Sequence, residues 1–555
     1  MKKNQKVLAF IAFAIACFLT VLDGTIVNVS LPTMAKYFGT DLAGISWVST
    51  AYLIPFSSLI LNFSKIADIF GRKKLFIIGL IVFGLASICC GLSTTLPMMI
   101  TFRIIQGLGA AILTPLAIPL AIEIYGYEGM AKLSILLGMI ISLAAASGPV
   151  IGGILNEVFG FKAIFYVNIP FILIALILGI KYARECYDKT IEKKIDIVGS
   201  ALLTYGLGAL TFLLVKGNDY GWSSNKIILL IITSLTAIVI FLVYENKIKN
   251  PMIDFKLFKT KSFTSSIILI SVIFFAYMPI AYLMNFYLEN QLGFTVLKSG
   301  LILGIISAVA FVMSPIFGLI SKKTSVRVTS FLAIIFVTSG DLMFIFLNSG
   351  NSMKIIYTSF VIVGLGMGAT APLYQSAFEE ISLDKNGNAS GILNSLRQLT
   401  ACIAIALVAT LSTHYTTVAI DNTKNQIINN INNNKVLEQQ IKDTIYSEIK
   451  TSKADSATGF SKEMVHNLMQ KQEKIVLGTV PTNAKVAVAN KFALQEKEIF
   501  KIVDEGKRIK ANESNKVYIK CFLITGIIAA FGLIAAPFNT KKKKENDKDG
   551  LKAAV

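Results

Sequence analysis

The stretch LDGTIVNVSLP, Leu22 to Pro32, places a carboxylate, Asp23, and an amide, Asn28, inside a run that is otherwise soluble in lipid. The run starts as VLAFIAFAIAC after a basic lead, MKKNQK, and continues past Cys17 to about Leu31. The apolar core of a cleaved signal peptide is about 7 to 15 residues, so this longer run reads as an uncleaved first membrane span and not as a leader ending at Cys17. An ionised aspartate at the bilayer centre costs about 2.5 to 3.5 kcal/mol on insertion scales, so Asp23 is expected to face a protein interior or a water-filled cavity. One span has no interior. The chain must fold as a bundle.

The remaining sequence supplies that bundle. Of 555 residues, 54% are hydrophobic and 15% charged, against roughly 25% charged in an average soluble domain. Apolar runs of about 20 residues, the length that crosses a hydrocarbon core of about 30 Å, recur along the chain. They predict an all-α polytopic membrane protein with fourteen helical spans, near 7-31, 43-64, 74-93, 96-119, 132-155, 161-181, 197-216, 226-245, 263-288, 298-320, 327-347, 353-378, 391-413 and 517-538.

An even number of spans puts both termini on one side, and the side follows from the short loops, because cytoplasmic ones carry the excess of Lys and Arg. One set holds Lys65, Arg72, Lys73 and Lys74, then the basic loop 182-196 and the run 246-261, and finally Lys541 to Lys544; the other holds isolated lysines such as Lys36, Lys162 and Lys298. Both termini are therefore expected in the cytoplasm, in a multi-pass protein of the plasma membrane. The formal net charge of +20 is explained by this topology. It forms no aromatic-studded basic face, which argues against a nucleic-acid partner. Six cysteines lie in or beside apolar runs with no Cys-x-x-Cys spacing, so neither a disulfide framework nor a metal site is expected.

The basic segments at 182-196 and 246-261 bracket spans seven and eight. The expected organisation is a six-helix bundle at 1-196, an inserted helix pair with its linker at 197-261, and a second six-helix bundle made of 262-413 and 517-538. A basic tail follows at 539-555. Between the thirteenth and fourteenth spans, residues 414-516 form one large polar insert with 16 Lys/Arg and 12 Asp/Glu, expected outside the cell by the parity of the spans. Ile427, Ile431, Ile441, Ile445 and Ile449 trace a helical stripe within it, and VAVANKFALQEKEIFKIV reads as helix. A cap over an outer vestibule is one reading of this stretch, and a tolerated, partly mobile insert is the simpler one.

Three motifs carry chemistry. The first joins Asp23 to Arg103 in RIIQGLGAA, where burial would raise the carboxyl pKa and a neighbouring guanidinium would lower it. Such opposed shifts suit a group that takes up and releases protons, whereas a static ion pair fixing helix register is the alternative. The second is SGPVIGG, in which Gly148 and Gly152 form a Gly-x-x-x-Gly face beside Pro149 and Gly153, predicting a bent, closely packed helix. The third is SKIADIFGRKK, whose Asp68, Gly71 and Arg72 set an acid one helical turn before a base at the membrane surface.

With LDGTIVNVSLP, these motifs resemble the signatures of the major facilitator superfamily, in particular its fourteen-span drug:proton antiporters of the QacA/EmrB-like branch. Further matches are NIPF at Asn168 to Phe171, DYGWSS ending at Ser224, PMIDFKLF from Pro251 and ASGILNSLRQL from Ala389. The resemblance implies two major-facilitator bundles around the inserted pair. It assigns proton coupling to Asp23 and Arg103, an antiporter motif to Gly148, Pro149, Gly152 and Gly153, and a conformational latch to Asp68, Gly71 and Arg72. Ser64 departs from the pattern by replacing the latch's usual first glycine. The tenth span lacks the acid found in some relatives that handle divalent cations.

The expected function is proton-coupled export of lipophilic or cationic small molecules by alternating access, with no cofactor beyond the proton gradient. Partners are the small-molecule cargo, protons and the bilayer, and the chain is expected to act as a monomer. Asn28, Asn62, Gln106, Tyr287, Tyr374, Gln375, Asn394 and Gln398 are candidate cavity-lining residues. Asp341 and Glu289 are expected to be solvated near outer span ends, and Arg397 and Glu379 are candidate latch partners. An exporter of one natural metabolite, peptide or lipid precursor is the nearest alternative, and a non-transporting sensor is a third. An enzyme is not expected, because His414 and His466 both lie in the polar insert and no catalytic constellation sits at membrane depth.

Overall fold

The computed structural model describes residues 3-40, 42-187, 196-248, 251, 253-348, 352-382, 385-451 and 462-539. Lys189, Lys193 and Lys194 of the loop 182-196, Lys249 of the run 246-261 and the basic tail beyond Asn539, all within the charge comparison, lie outside the described residues. Every regular element among the described residues is helical. The first group is α1 (Lys3–Phe38), α2 (Leu42–Phe70), α3 (Arg72–Leu92), α4 (Leu96–Leu113), α5 (Ala117–Phe159), α6 (Ala163–Tyr166) and α7 (Asn168–Tyr182). Next come α8 (Ile197–Tyr220) and α9 (Asn225–Glu245), then α10 (Lys261–Phe286), α11 (Val296–Lys323), α12 (Val326–Leu342), α13 (Ser352–Gly368) and α14 (Thr370–Phe378). The chain continues with α15 (Asn386–Asn433), α16 (Gln439–Thr451), α17 (Lys462–Leu477), α18 (Lys485–Ala530) and α19 (Gly532–Ala535).

Thirteen helices among the described residues are long and apolar enough to cross a membrane. The expected fifth span falls in the second part of α5, beyond a break at Gly126, whose φ of 69° an L side chain rarely adopts. Hydroxyl caps start several helices: the Thr95, Ser224, Thr295 and Ser325 side chains accept from backbone amides of α4, α9, α11 and α12. Each takes up one of the donors that a helix N-terminus otherwise leaves unpaired. Large apolar side chains remain exposed, among them Leu85, Ile177, Leu229 and Ile232. In water this surface would be costly; in a bilayer it is solvated by lipid.

The chain divides by contact into two compact units. The first holds residues up to Phe344, Met353–Val408 and those from Phe522 onward; the second holds Ile345–Ser352 and Ala409–Cys521. Within the first unit, α1 packs on α5 and α7, α4 packs between α2 and α3, and α10, α11, α12 and α14 pack among themselves. The two groups meet where α5 lies against α11 and α14. Pair α8–α9 joins through α8, which lies on α2, where the Ser57 and Thr211 hydroxyls are 2.9 Å apart. In the second unit, Ile427, Ile431, Ile441 and Ile445 of the predicted stripe are buried together with Val465, Met469, Phe492 and Ile499. The side chain of Ile449 lies outside the described ones.

Candidate functional site

Asp23 and Arg103 meet. Arg103 Nη1 donates to Asp23 Oδ2 at 2.5 Å, and the two side chains are 1% and 0% exposed. The same Nη1 donates to Gln106 Oε1 at 2.7 Å, while Nε donates to the Val48 carbonyl at 3.0 Å. Gln106 completes a ring by donating from Nε2 to Asp23 Oδ1 at 2.9 Å and to Ser87 Oγ at 2.8 Å. Asn168 Nδ2 donates to Ser87 Oγ at 3.0 Å and reaches Asp23 Oδ1 at 3.5 Å. The guanidinium carbon stands 4.3 Å from the centre of the Tyr52 ring, whose hydroxyl donates to the Thr20 carbonyl at 2.9 Å. A buried ion pair is tolerable only when further hydrogen bonds satisfy its remaining valences. Here α1, α2, α3, α4 and α7 supply them together.

Why the pair can form is written in the helices beside it. A Cβ on Gly107 would overlap the Tyr52 carbonyl and stand 2.7 Å from Pro55 Cγ, so this glycine lets α4 seat against α2. On the other side of α1, a Cβ at Gly148 would stand 2.8 Å from Thr25 Cβ, and one at Gly152 would stand 2.9 Å from the Ile26 carbonyl. Gly153 is buried in the same turn. The opposite face of α5 meets α11, where Gly300 leaves room for the Pro149 carbonyl and Gly304 for the Val150 side chain. Helix α5 is thus held between α1 and α11 through glycine contacts on both faces.

The Asp68 motif forms a second constellation. Arg72 Nε donates to Asp68 Oδ1 at 2.8 Å, with both side chains buried. Gly71 starts α3 at φ 116°, and the Glu185 carboxylate accepts from the amides of Lys73 and Lys74 at 3.0 and 3.1 Å. An anion at a helix N-terminus is favourable, so Glu185 fastens the segment after α7 onto α3. Nearby, Lys65 Nζ donates to the Pro251 carbonyl at 3.2 Å, and Asp254 pairs with Lys385 at 2.6 Å. Partial burial pushes the Asp254 carboxyl up, but the Lys385 ammonium and the Lys256 amide outweigh it and hold it below its ordinary range. Ser64 abuts Gly391, where a Cβ would stand 3.0 Å from Ser64 Cβ and Oγ. The space that the pattern assigns to a glycine in α2 is supplied by a glycine in α15.

The cavity candidates divide. Asn28 accepts from Ser49 Oγ at 3.1 Å and remains half-buried, as do Gln375 and Gln398. Gln106 belongs to the ion-pair ring. Asn62 donates to Thr204 Oγ1 of α8 at 2.6 Å, because the inserted pair packs on that face of α2. Asn394 donates to the Ser390 carbonyl of its own helix at 2.9 Å. Tyr287 is buried in the wide turn Tyr287–Gln291, and Tyr374 is buried beside Arg397.

Three expectations change. Asp341 is not solvated: it is 0% exposed and accepts from Thr525 Oγ1 at 2.8 Å, because α18 covers that face of α12. Glu289 is half-buried. Arg397 does not pair with Glu379 among the described residues; it is buried at the Phe274 ring, whereas Glu379 is exposed. Lys216, the last residue of the predicted seventh span, lies within α8, buried on the Trp47 ring and paired with Asp219 at 2.7 Å. Sequence reading missed Ser87 and Asn168 as members of the central ring, although NIPF contains the latter.

A polytopic helical bundle with an ion pair locked at membrane depth and glycine-lined helix crossings is the architecture of a membrane carrier. Residues 13–405 match the family described as the Major Facilitator Superfamily, and the chain belongs to it. It is 30% identical over 420 residues to the "Multidrug resistance protein Stp" of Mycobacterium tuberculosis (strain CDC 1551 / Oshkosh), covering 74% of this chain and 76% of that protein. It is also 30% identical over 404 residues to the "Riboflavin transporter RibZ" of Clostridioides difficile (strain 630), covering 73% and 87%. Among solved structures, a bacterial homologue of the human lysosomal transporter Spinster, inward-facing and unoccupied, superposes with a TM-score of 0.56 at 13% identity, covering 97% of this chain and 98% of that one.

Proposed function

We propose that this transporter is a proton-coupled exporter of lipophilic small molecules that works by alternating access, in the plasma membrane with both termini cytoplasmic. The observation that carries the reading is the buried Asp23–Arg103–Gln106 ring. When Asp23 is ionised it accepts from three side chains on α4 and α7. A proton removes the negative charge and with it an attraction on the order of 4 kcal/mol for charges 4 Å apart at an effective dielectric constant of 20. That is comparable with the roughly 5.5 kcal/mol needed to swing a two-state equilibrium from 1:99 to 99:1. The charge change falls two residues from Thr25, which lies against Gly148, and α5 in turn lies against α11. Protonation on α1 is therefore felt where the two helix groups meet, as rocking about a central path requires.

The test is Asp23→Asn, reconstituted in vesicles at matched insertion with an imposed pH gradient. The variant is expected to exchange cargo down its own gradient and to lose accumulation driven by protons. Undiminished proton-driven accumulation by Asp23→Asn would refute the coupling role. The similarity to a riboflavin transporter favours a second reading, export of one dedicated metabolite. A survey of antibiotics and dyes in a pump-deficient bacterium separates the two, since a dedicated exporter rescues growth against none of them.

A further inference from the structure

Two arginines of the first unit are buried at membrane depth, and among the described residues only one has a counter-ion. Arg103 is neutralised by Asp23. Arg397, in α15, is 4% exposed, and no carboxylate lies within ion-pair distance of it among the described residues. Its neighbours are the Tyr374 hydroxyl, 3.4 Å from Nη1, and the Phe274 ring, whose centre is 5.0 Å from the guanidinium carbon. Six residues before it on the same helix, Gly391 lies against Ser64 of α2, so the helix that carries Arg397 runs along the boundary between the two helix groups.

A buried guanidinium with one long hydrogen bond is unfavourable by itself, and a fold that keeps one has to find its anion elsewhere. Arg is the side chain whose planar fork matches carboxylate and phosphate oxygens. Phe274 and Tyr374, both buried, set aromatic rings beside it that the body of a lipophilic molecule would meet once the path opens. We infer that Arg397 is an anion-recognition site in the central path and that the cargo is a lipophilic organic acid, bound through its carboxylate, sulfonate or phosphate. This rests on the exporter reading above and narrows it: the cargo's acidic group, not a cation, supplies the missing counter-ion.

The test measures saturable binding and gradient-driven transport of two xanthene dyes, anionic carboxyfluorescein and cationic tetramethylrhodamine methyl ester, by the full chain in proteoliposomes. The expected result is binding of the anion, weakened about tenfold or more by Arg397→Gln, as loss of a charge-assisted hydrogen bond implies. Arg397→Lys is expected to keep part of it. The thermal midpoint of Arg397→Gln should stay level or rise, because a buried charge without a counter-ion has been removed. A lowered midpoint rescued by Arg397→Lys would expose an internal counter-ion and overturn the site. Binding of the cation alone, indifferent to Arg397→Gln, overturns the acid cargo and leaves the exporter reading standing, and so does binding of neither dye. Anion binding sensitive to Arg397→Gln, with no response to a proton gradient in transport, keeps the site and removes proton coupling.

Discussion

Replacing Asp23 with leucine while Arg103 stays in place leaves a guanidinium that is 1% exposed without its carboxylate. What remains to it is the Val48 carbonyl, the Gln106 amide oxygen and the Tyr52 ring face. Breaking a buried pair by removing one partner costs about 3 to 5 kcal/mol. At 1.4 kcal/mol per factor of ten this is roughly two to four decades in the unfolding equilibrium constant. Asp23→Asn should lose less, because its amide oxygen still accepts from Arg103 or Gln106. Asp23→Leu combined with Arg103→Leu should recover most of the loss, since replacing both charges by apolar groups is neutral or stabilising in many buried pairs. Gln106 then keeps Ser87 as an acceptor at 2.8 Å. Denaturant unfolding of the purified protein in mixed micelles reads these three variants and Arg103→Leu alone. If Asp23→Leu unfolds with the wild type, or the double variant falls as far as the two singles added together, the pair is not what holds these helices in register.

Other perturbations follow from contacts already described. Gly148→Val should push α5 from α1 at Thr25, with a loss of about 1 to 3 kcal/mol and of transport, read by thermal unfolding and dye efflux. Gly71→Ala combines a left-handed φ with a Cβ 2.7 Å from the Glu185 carboxyl carbon; about 1 to 2 kcal/mol of strain should appear as faster proteolysis after α7. The Asp254–Lys385 pair titrates with a defined sign. The folded Asp254 pKa lies below its unfolded value, so the contribution is fully present above the ordinary carboxylate range and is lost as pH falls through the lowered folded value. Hydrogen exchange at the Lys256 amide, which donates to Asp254 Oδ1 at 2.9 Å, should show protection held from pH 7 to the ordinary carboxylate range and lost below it. Asp254→Asn should remove that step.

Depth along each helix was legible in the sequence; direction around the helix was not. Apolar run length located the spans, and the cost of a charge in lipid was enough to pair Asp23 with Arg103, because an acid at membrane depth in span one and a base in span four stabilise each other. The same logic said nothing about azimuth. Asn62 sits at a depth suited to a cavity, yet the helix that packs on its face is α8, and only the packing shows this. Asp341 looked like a span-end acid because nothing in its own helix marks the face that Thr525 covers. Glu185 gave no signal either: its role depends on the turn after α7 coming back to the start of α3, a contact between residues 112 positions apart. Lys216 shows no such signal in its own helix, yet the Trp47 ring and Asp219 hold it inside.

The meeting of Ser64 with Gly391 constrains the order in which this chain can have changed. A side chain at position 391 is resisted while serine occupies 64, since its first carbon would stand 3.0 Å from the serine Cβ and Oγ, which would have to give way by a few tenths of an ångström. The reverse sequence is open: trimming 64 to glycine leaves a small gap, which a later methyl on the facing helix can fill. Glycine and serine therefore trade places across this crossing more cheaply along the route that alters position 64 first.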